Sequence, residues 1–213
     1  MEEPARHYWN TIGAAKEFTH PMDLSWLEGI SRDSRILDYG CGYGRIAGQL
    51  ADAGFGRITG VDVSAALIER GRAARPGLDL RVQADPPRLA AASGSVDVAV
   101  LFAVLTCVPA DRDQRALVTE LDRVLAPGGL VHLSDLLLQS DERNLRRYAG
   151  GSPYGVFTTG DGAVCRHHAA EHLRGLFPGY AVVTERRVTV ATMNRNSAEA
   201  LQLLVRKPGS ADV

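Results

Sequence analysis

Cysteine, long apolar runs and an excess of either charge are all scarce in this chain of 213 residues, and each scarcity excludes a class of protein. The three cysteines, Cys41, Cys107 and Cys165, are odd in number and widely spaced, which does not suit a disulfide-stapled domain and predicts free thiols. No stretch reaches the ~18 apolar residues that a membrane-spanning helix needs. The 24 Lys and Arg residues nearly balance the 25 Asp and Glu residues, for a net charge of −1, and the basic residues are scattered. That distribution argues against a nucleic-acid or anionic-membrane partner and for a small molecule. The first nine residues hold no basic stretch followed by an apolar segment, so no secretory signal is expected and the expected location is cytoplasmic. Internal repeats, low-complexity tracts and linkers are also missing.

What is present fits one domain over 1–213 with a full core, since 45% of the residues are hydrophobic. Strand and helix signals alternate from residue 35 to about 136, with strands expected at 35–39, 57–62, 79–83, 96–102 and 129–136. Such alternation predicts an α/β fold, a doubly wound, mostly parallel sheet with helices on both faces. Ser64 is placed to cap a helix through Arg72. Leu117, Val118, Leu121, Val124 and Leu125 form the apolar stripe of a helix from Asp111 to Ala126, stopped by Pro127-Gly128. A short helix is expected over Ala169–Leu176. Tyr180–Val190 and Leu201–Arg206 read as an antiparallel pair, within a C-terminal part covering 169–207. Residues 31–136 would be the binding core, residues 1–30 a helical cover, and residues 137–168 an insertion on the substrate side. The end, from Pro208 to Val213, reads as a frayed tail.

The most informative passage is Ile36-Leu37-Asp38-Tyr39-Gly40-Cys41-Gly42-Tyr43-Gly44, followed by Gly60-Val61-Asp62 at the end of the next strand. A dinucleotide turn needs a third glycine where this chain has Arg45, so that a helix N-terminus can face a pyrophosphate. Asp38 would repel a pyrophosphate and favour a cationic amino group. Gly40, Gly42 and Gly44 permit close backbone approach to a ligand. Asp38, Asp62, Asp85, Phe102 and Asp135 all fall at carboxyl ends of expected strands, where open α/β sheets bind ligands. Any one of them alone could be an ordinary strand-ending or turn residue.

On these residues the chain resembles the class I S-adenosylmethionine-dependent methyltransferases, of the small-molecule type. Their first motif reads much like Leu37 to Gly44, and Leu125-Ala126-Pro127-Gly128-Gly129-Leu130-Val131 is similar to the turn before their fifth strand. The resemblance implies a seven-stranded sheet in the order 3-2-1-4-5-7-6, the last strand antiparallel, and S-adenosyl-L-methionine as cofactor with S-adenosyl-L-homocysteine as product. It implies that Asp38 and the glycine turn, with Tyr39 and Cys41, hold the methionine end. Asp62 beside Val63 would take the ribose hydroxyls, Asp85 beside Pro86 the adenine amino group, and Phe102 and Ala103 would lie near the methionine portion. Tyr8, Trp9, Asp135, Tyr148 and Tyr154 are the candidate substrate wall.

Ala84-Asp85-Pro86-Pro87-Arg88 imitates the Asp-Pro-Pro-aromatic element of amino-group methyltransferases. It follows the third strand rather than the fourth, and Arg88 replaces the aromatic residue. Methyl transfer needs a base only when the accepting atom arrives protonated. His20, His167 and His168 are the candidates, because imidazole titrates near neutral pH and they lie in the two covering segments. His132, inside a strand, reads as a core histidine. Cys165, His167, His168 and His172 match no metal-ligand spacing, and no metal is expected. The function expected is therefore methyl transfer to an oxygen or nitrogen of a small metabolite, with a homodimer as the possible assembly. The rivals are an RNA or protein methyltransferase and a non-catalytic S-adenosylmethionine-binding protein. Calorimetric titration should show saturable binding of S-adenosylmethionine and S-adenosylhomocysteine, lost in Asp62→Ala, and no binding of NAD; binding of NAD alone would overturn the resemblance.

Overall fold

The computed structural model describes residues 3–209. Helix α1 (Glu3–Asn10) and two short 3-10 turns lead into β1 (Arg35–Tyr39), α2 (Arg45–Asp52), β2 (Arg57–Asp62), α3 (Ala65–Ala74) and β3 (Asp79–Val82). Then follow β4 (Val96–Phe102), α4 (Asp111–Val124) and β5 (Leu125–Leu136). Helix α5 (Glu142–Tyr148) and the hairpin β6 (Val156–Thr158) and β7 (Val164–Arg166) come next. The described chain closes with α6 (Ala170–Gly175), β8 (Ala181–Ala191) and β9 (Ser197–Arg206). The main sheet has seven strands in the order β3-β2-β1-β4-β5-β9-β8, and β9 runs antiparallel to both its neighbours. Counting only strands of this sheet, that is the expected 3-2-1-4-5-7-6.

Alternation along the strands supplies the two buried faces, because successive side chains point to opposite sides. Leu37, Tyr39, Ala99, Leu101, Val131, Leu133, Leu203 and Val205 pack with Leu117, Leu121 and Val124 of α4 and Leu173 of α6. Ile36, Val98, Val100, Leu130 and Leu204 face the other way, onto Ile46 and Leu50 of α2 and Leu27. The hydroxyl of Ser64 accepts from the Leu67 N–H at 3.1 Å, capping α3 as its sequence position predicts.

Several boundaries differ from the sequence reading. Helix α4 ends at Val124, and β5 begins at once with Leu125 beside Val96. The Ala126-Pro127-Gly128-Gly129 turn is thus an irregularity inside β5 rather than a helix stop, with Gly128 at φ +76°. The expected insertion has its own structure, α5 and the β6–β7 hairpin. The N-terminal cover is helical only in part. Pro208 is tied down by the Gly128 N–H, which donates to its carbonyl at 3.1 Å, and the rest of the expected tail, Ser210 to Val213, lies outside the described residues. Among the described residues no helix is long and apolar enough to cross a membrane.

His132 of β5 is fully buried, stacked on Trp26 with ring centroids 5.1 Å apart and edge-on to Phe102, and neither ring nitrogen has a hydrogen-bond partner among the described residues. Burial lowers its pKa from 6.5 to about 4. The folded protein therefore keeps the ring neutral where the unfolded chain takes up a proton. The contribution of neutral His132 to stability is complete above pH 6.5 and shrinks as pH falls toward 4. His132→Leu should gain stability over the parent at pH 5 relative to pH 7.5, by about 2 kcal/mol, measured by urea unfolding; an identical difference at both pH values would contradict it.

Candidate active site

The carboxyl ends of the parallel strands open on one large cavity of about 440 Å³. Its floor begins at the glycine turn. The N–H groups of Gly40 and Cys41 both donate to the Val61 carbonyl, at 2.8 and 3.0 Å, which brings the turn against the end of β2. Gly40, Gly42 and Gly44 all have positive φ, and Gly44 is the residue before α2. A Cβ on Gly40 would lie 2.6 Å from Cγ2 of Val104, and one on Gly42 would run into the Phe18 ring.

Two carboxylates organise this corner. Asp38, at 2% exposure, accepts from the Ala47 N–H at 3.1 Å and so serves the first turn of α2, where Gly44 has no side chain to offer. Asp62 accepts from the N–H of Gly42 at 2.9 Å and of Ser64 at 2.8 Å, linking the glycine turn to the start of α3. Burial raises the Asp38 pKa to about 7, against the lowering effect of the Ala47 N–H and the Arg45 guanidinium. Burial also raises that of Asp62, opposed by its backbone donors. Both side chains face the cavity, as do Tyr39, Gly40, Cys41, Val63, Pro86, Phe102 and Ala103. Gly42 and Gly44 lie beneath the lining, the former covered by Phe18 and the latter packed on Leu80.

Asp85 is elsewhere. It is exposed, outside the lining, and has no hydrogen bond or ion pair among the described residues. The buried Gln83, two residues earlier, takes the place at the cavity wall, with its amide nitrogen on the carbonyls of Pro87 and Arg88 at 3.0 and 3.1 Å. Strand β3 ends at Val82, so the chain has already turned outward by Asp85, a path that strand spacing alone does not reveal.

The covering segments close the cavity from above. Trp9 packs edge-on to Phe18, Phe18 stacks on Tyr43 at 5.2 Å, and the Arg70 guanidinium lies 4.0 Å from the Tyr43 ring centre. Arg45 donates to the His20 carbonyl at 2.5 Å. Asp161, in the β6–β7 turn, receives both the Lys16 ammonium at 2.5 Å and the Tyr8 hydroxyl at 3.2 Å, fastening the N-terminal segment to the insertion. In the sequence Arg45 stands out only as a missing glycine, and nothing local marks Gln83, Asp161 or Arg147. Only the position of Arg45 next to the glycine turn offered a signal.

Tyr8, Trp9, His20 and His167 line the cavity. His20 places Nδ1 3.0 Å from the Ser134 hydroxyl, and His167 places Nδ1 2.6 Å from the Tyr148 hydroxyl; burial lowers both pKa values to about 4. Four other candidates do not reach the lining. Tyr148 is buried beneath it, holding His167, whereas Tyr154 is 55% exposed on the outside. Asp135 is fully buried behind the wall and accepts from the N–H of Thr106 at 3.1 Å and of Leu136 at 2.8 Å. His168 lies beside it, Nδ1 3.6 Å from Asp135, with Nε2 accepting from the Gln114 amide at 2.8 Å, and burial lowers its pKa to about 3. Both side chains are used up in supporting the loop after β4 and the start of α4.

A family model described as a methyltransferase domain matches residues 37–133, which run from within β1 into β5. This match supports a class I S-adenosylmethionine-dependent methyltransferase, the family that the sequence resembles. The chain is 29% identical over 141 residues to the ubiquinone biosynthesis O-methyltransferase of Xanthomonas oryzae pv. oryzae, covering 62% of this chain and 57% of that protein. It is 27% identical over 155 residues to the ribosomal protein L11 methyltransferase of Dechloromonas aromatica, covering 72% of this chain and 50% of that one. The chain thus spans about half the length of these relatives. In fold it is similar to the crystal structure of a SAM-dependent methyltransferase from Methanosarcina mazei, with a TM-score of 0.80 at 24% identity over 89% of this chain and 99% of that one.

The backbone at Gly40 accounts for a sharp expectation. Gly40→Ala must bear both φ +69° and the Val104 contact, and should lose about 1–3 kcal/mol of stability. Gly150→Ala, where a Cβ meets nothing within 4 Å, should fall within ±0.5 kcal/mol of the parent. Denaturant unfolding of the two variants checks the contrast.

Proposed function

We propose that this chain transfers a methyl group from S-adenosylmethionine to an oxygen or nitrogen of a small molecule. The observation that carries the proposal is one cavity that joins the glycine turn, Asp38 and Asp62 to a covered chamber walled by His20, Phe157 and His167. Its residues fit the cofactor. The cradle at Gly40 has no room for a Cβ, Asp62 stands at the end of β2 where vicinal hydroxyls could share a carboxylate, and Asp38 is a buried acid with no cationic partner at hydrogen-bond distance among the described residues. The cofactor supplies a methyl group on a sulfonium, so what the protein must add is alignment and exclusion of water.

The cover contributes both. The Phe18 and Tyr43 stack, the Arg45 bond to His20 and the Asp161 clasp hold residues 8–20 over the cavity, leaving space scaled to a metabolite. Protein or RNA as acceptor would need this cover displaced. The small-molecule reading therefore predicts single-turnover methylation of low-molecular-weight acceptors by the protein with radiolabelled S-adenosylmethionine. Label found only in ribosomal protein or RNA would favour the macromolecular alternative, and cofactor binding without transfer to any acceptor would favour a non-catalytic protein.

Asp38 gives the reading a pH signature. With its pKa raised to about 7, it is largely protonated at pH 6, and a cationic amino group draws it into the charged form. Affinity for S-adenosylhomocysteine should increase from pH 6 to 7.5, by about tenfold for one proton released, before the ligand amino group begins to lose its own proton. In Asp38→Asn the affinity should be lower and flat over that range. Calorimetry at the two pH values measures both, and a parent protein with pH-independent affinity would contradict the role given to Asp38.

A further inference from the structure

The acceptor end of the cavity has a charge and a hydrogen-bond polarity of its own. Arg147 of α5 lines it, with its guanidinium 5.1 Å from the centre of the Phe157 ring. No carboxylate lies within ion-pairing distance of Arg147 among the described residues, whereas Arg146 pairs with Glu142 and Arg166 with Asp111; Arg143, the other α5 arginine at this end, donates to the Asn196 side chain. His167 packs edge-on to the same Phe157 ring at 4.9 Å, so that Arg147 and His167 flank one apolar surface.

The tautomer of His167 follows from counting donors. The Tyr148 hydroxyl accepts from the Gln139 N–H at 3.2 Å, and its own proton has one acceptor in reach among the described residues, Nδ1 of His167 at 2.6 Å. Leaving a buried hydroxyl proton unpaired costs about 1–3 kcal/mol, so Nδ1 is the acceptor. The neutral ring then carries its hydrogen on Nε2, the nitrogen with no protein partner, on a side chain that lines the cavity. Burial and the nearby Arg147 charge lower the His167 pKa to about 4, which keeps the ring neutral at physiological pH. His20 repeats the arrangement, its Nδ1 facing the fully buried Ser134 hydroxyl at 3.0 Å. His167 is thus a donor to the acceptor chamber and not a base.

We propose that the substrate is an organic anion, a carboxylate or ionised phenol, whose charged oxygen is held between Arg147 and the Nε2–H of His167 with its apolar body on Phe157. A positive charge and a fixed N–H donor flanking one ring favour an anionic oxygen, and the ring itself offers an apolar surface to a planar scaffold. An ammonium substrate would meet a like charge there, and a neutral one would leave Arg147 without an opposite charge. The inference rests on the methyl-transfer reading only in taking S-adenosylhomocysteine as the ligand of the other half of the cavity.

The test is calorimetry on the full chain, titrated first with S-adenosylhomocysteine and then, at saturation, with benzoate, benzamide, 2-naphthoate and 2-naphthamide. Each acid should bind at least tenfold more tightly than its amide. Arg147→Gln should abolish that preference and leave S-adenosylhomocysteine affinity within twofold. In parallel, 15N spectra of histidine-labelled protein should show His167 protonated at Nε2 only, and Tyr148→Phe should remove that bias. Equal affinity for acid and amide, no binding of either, a preference that survives Arg147→Gln, or an Nδ1–H tautomer would each overturn the proposal. Failure to bind S-adenosylhomocysteine in the first titration would instead count against the methyl-transfer reading.

Discussion

Carboxylates at the ends of the parallel strands hold the loops of this protein in place. Asp38 at the tip of β1 receives an N–H from α2, Asp62 at the end of β2 receives N–H groups from the glycine turn and from Ser64, and Asp135 near the end of β5 receives those of Thr106 and Leu136. All three are buried, and burial raises the pKa of each. Buried backbone donors need partners, and a carboxylate reaching out of a strand supplies two or more lone pairs where the loop leaves the sheet. The same groups that shape the loops thereby place negative charge at the one edge of the sheet where a ligand can enter. Asp38 and Asp62 remain on the cavity side, whereas Asp135 is closed off behind Thr106 and His168.

Charge changes along the cavity as a result. Its floor is acidic, suited to the amino group and the hydroxyls of a nucleoside amino acid, and its far end is basic, where Arg147 and Arg143 come from α5. Arg45, also in the lining, is close enough to Asp38 to oppose the rise in its pKa, and bonds the N-terminal segment through the His20 carbonyl. The residue that breaks a dinucleotide fingerprint thus helps to close the site. Closure depends further on Asp161, whose pKa is held near 2, with Lys16 and Tyr8 among its hydrogen-bonding partners.

Features with a local cause could be read in advance. Strand alternation at Leu37, Val98 and Leu133, the helical stripe of α4 and the Ser64 cap all express their structure within a few residues, and the glycine turn with Asp38 and Asp62 is set by spacing along two adjacent strands. Features that arise from distant segments meeting could not be read. Nothing near Asp85 announces that β3 stops at Val82 and leaves Gln83 at the wall. Tyr148 and Tyr154 look alike in the sequence, yet one lies at 1% exposure under His167 and the other at 55%, because Tyr148 packs on Phe157 and Cys165 of the β6–β7 hairpin and Tyr154 stays in the loop ahead of it. His167 and His168 are neighbours that diverge likewise. β7 ends at Arg166, after which His167 turns to Tyr148 and the cavity and His168 to Gln114.

The central claim is that the strand-end carboxylates that build the loops also receive the donor. A crystal structure with S-adenosylhomocysteine tests it most directly. The account predicts the ribose hydroxyls on Asp62, the amino group beside Asp38, and both carboxylates still bonded to the N–H groups of Ser64 and Ala47. A ligand bound away from the glycine turn, or one whose polar groups contact neither carboxylate, would contradict it.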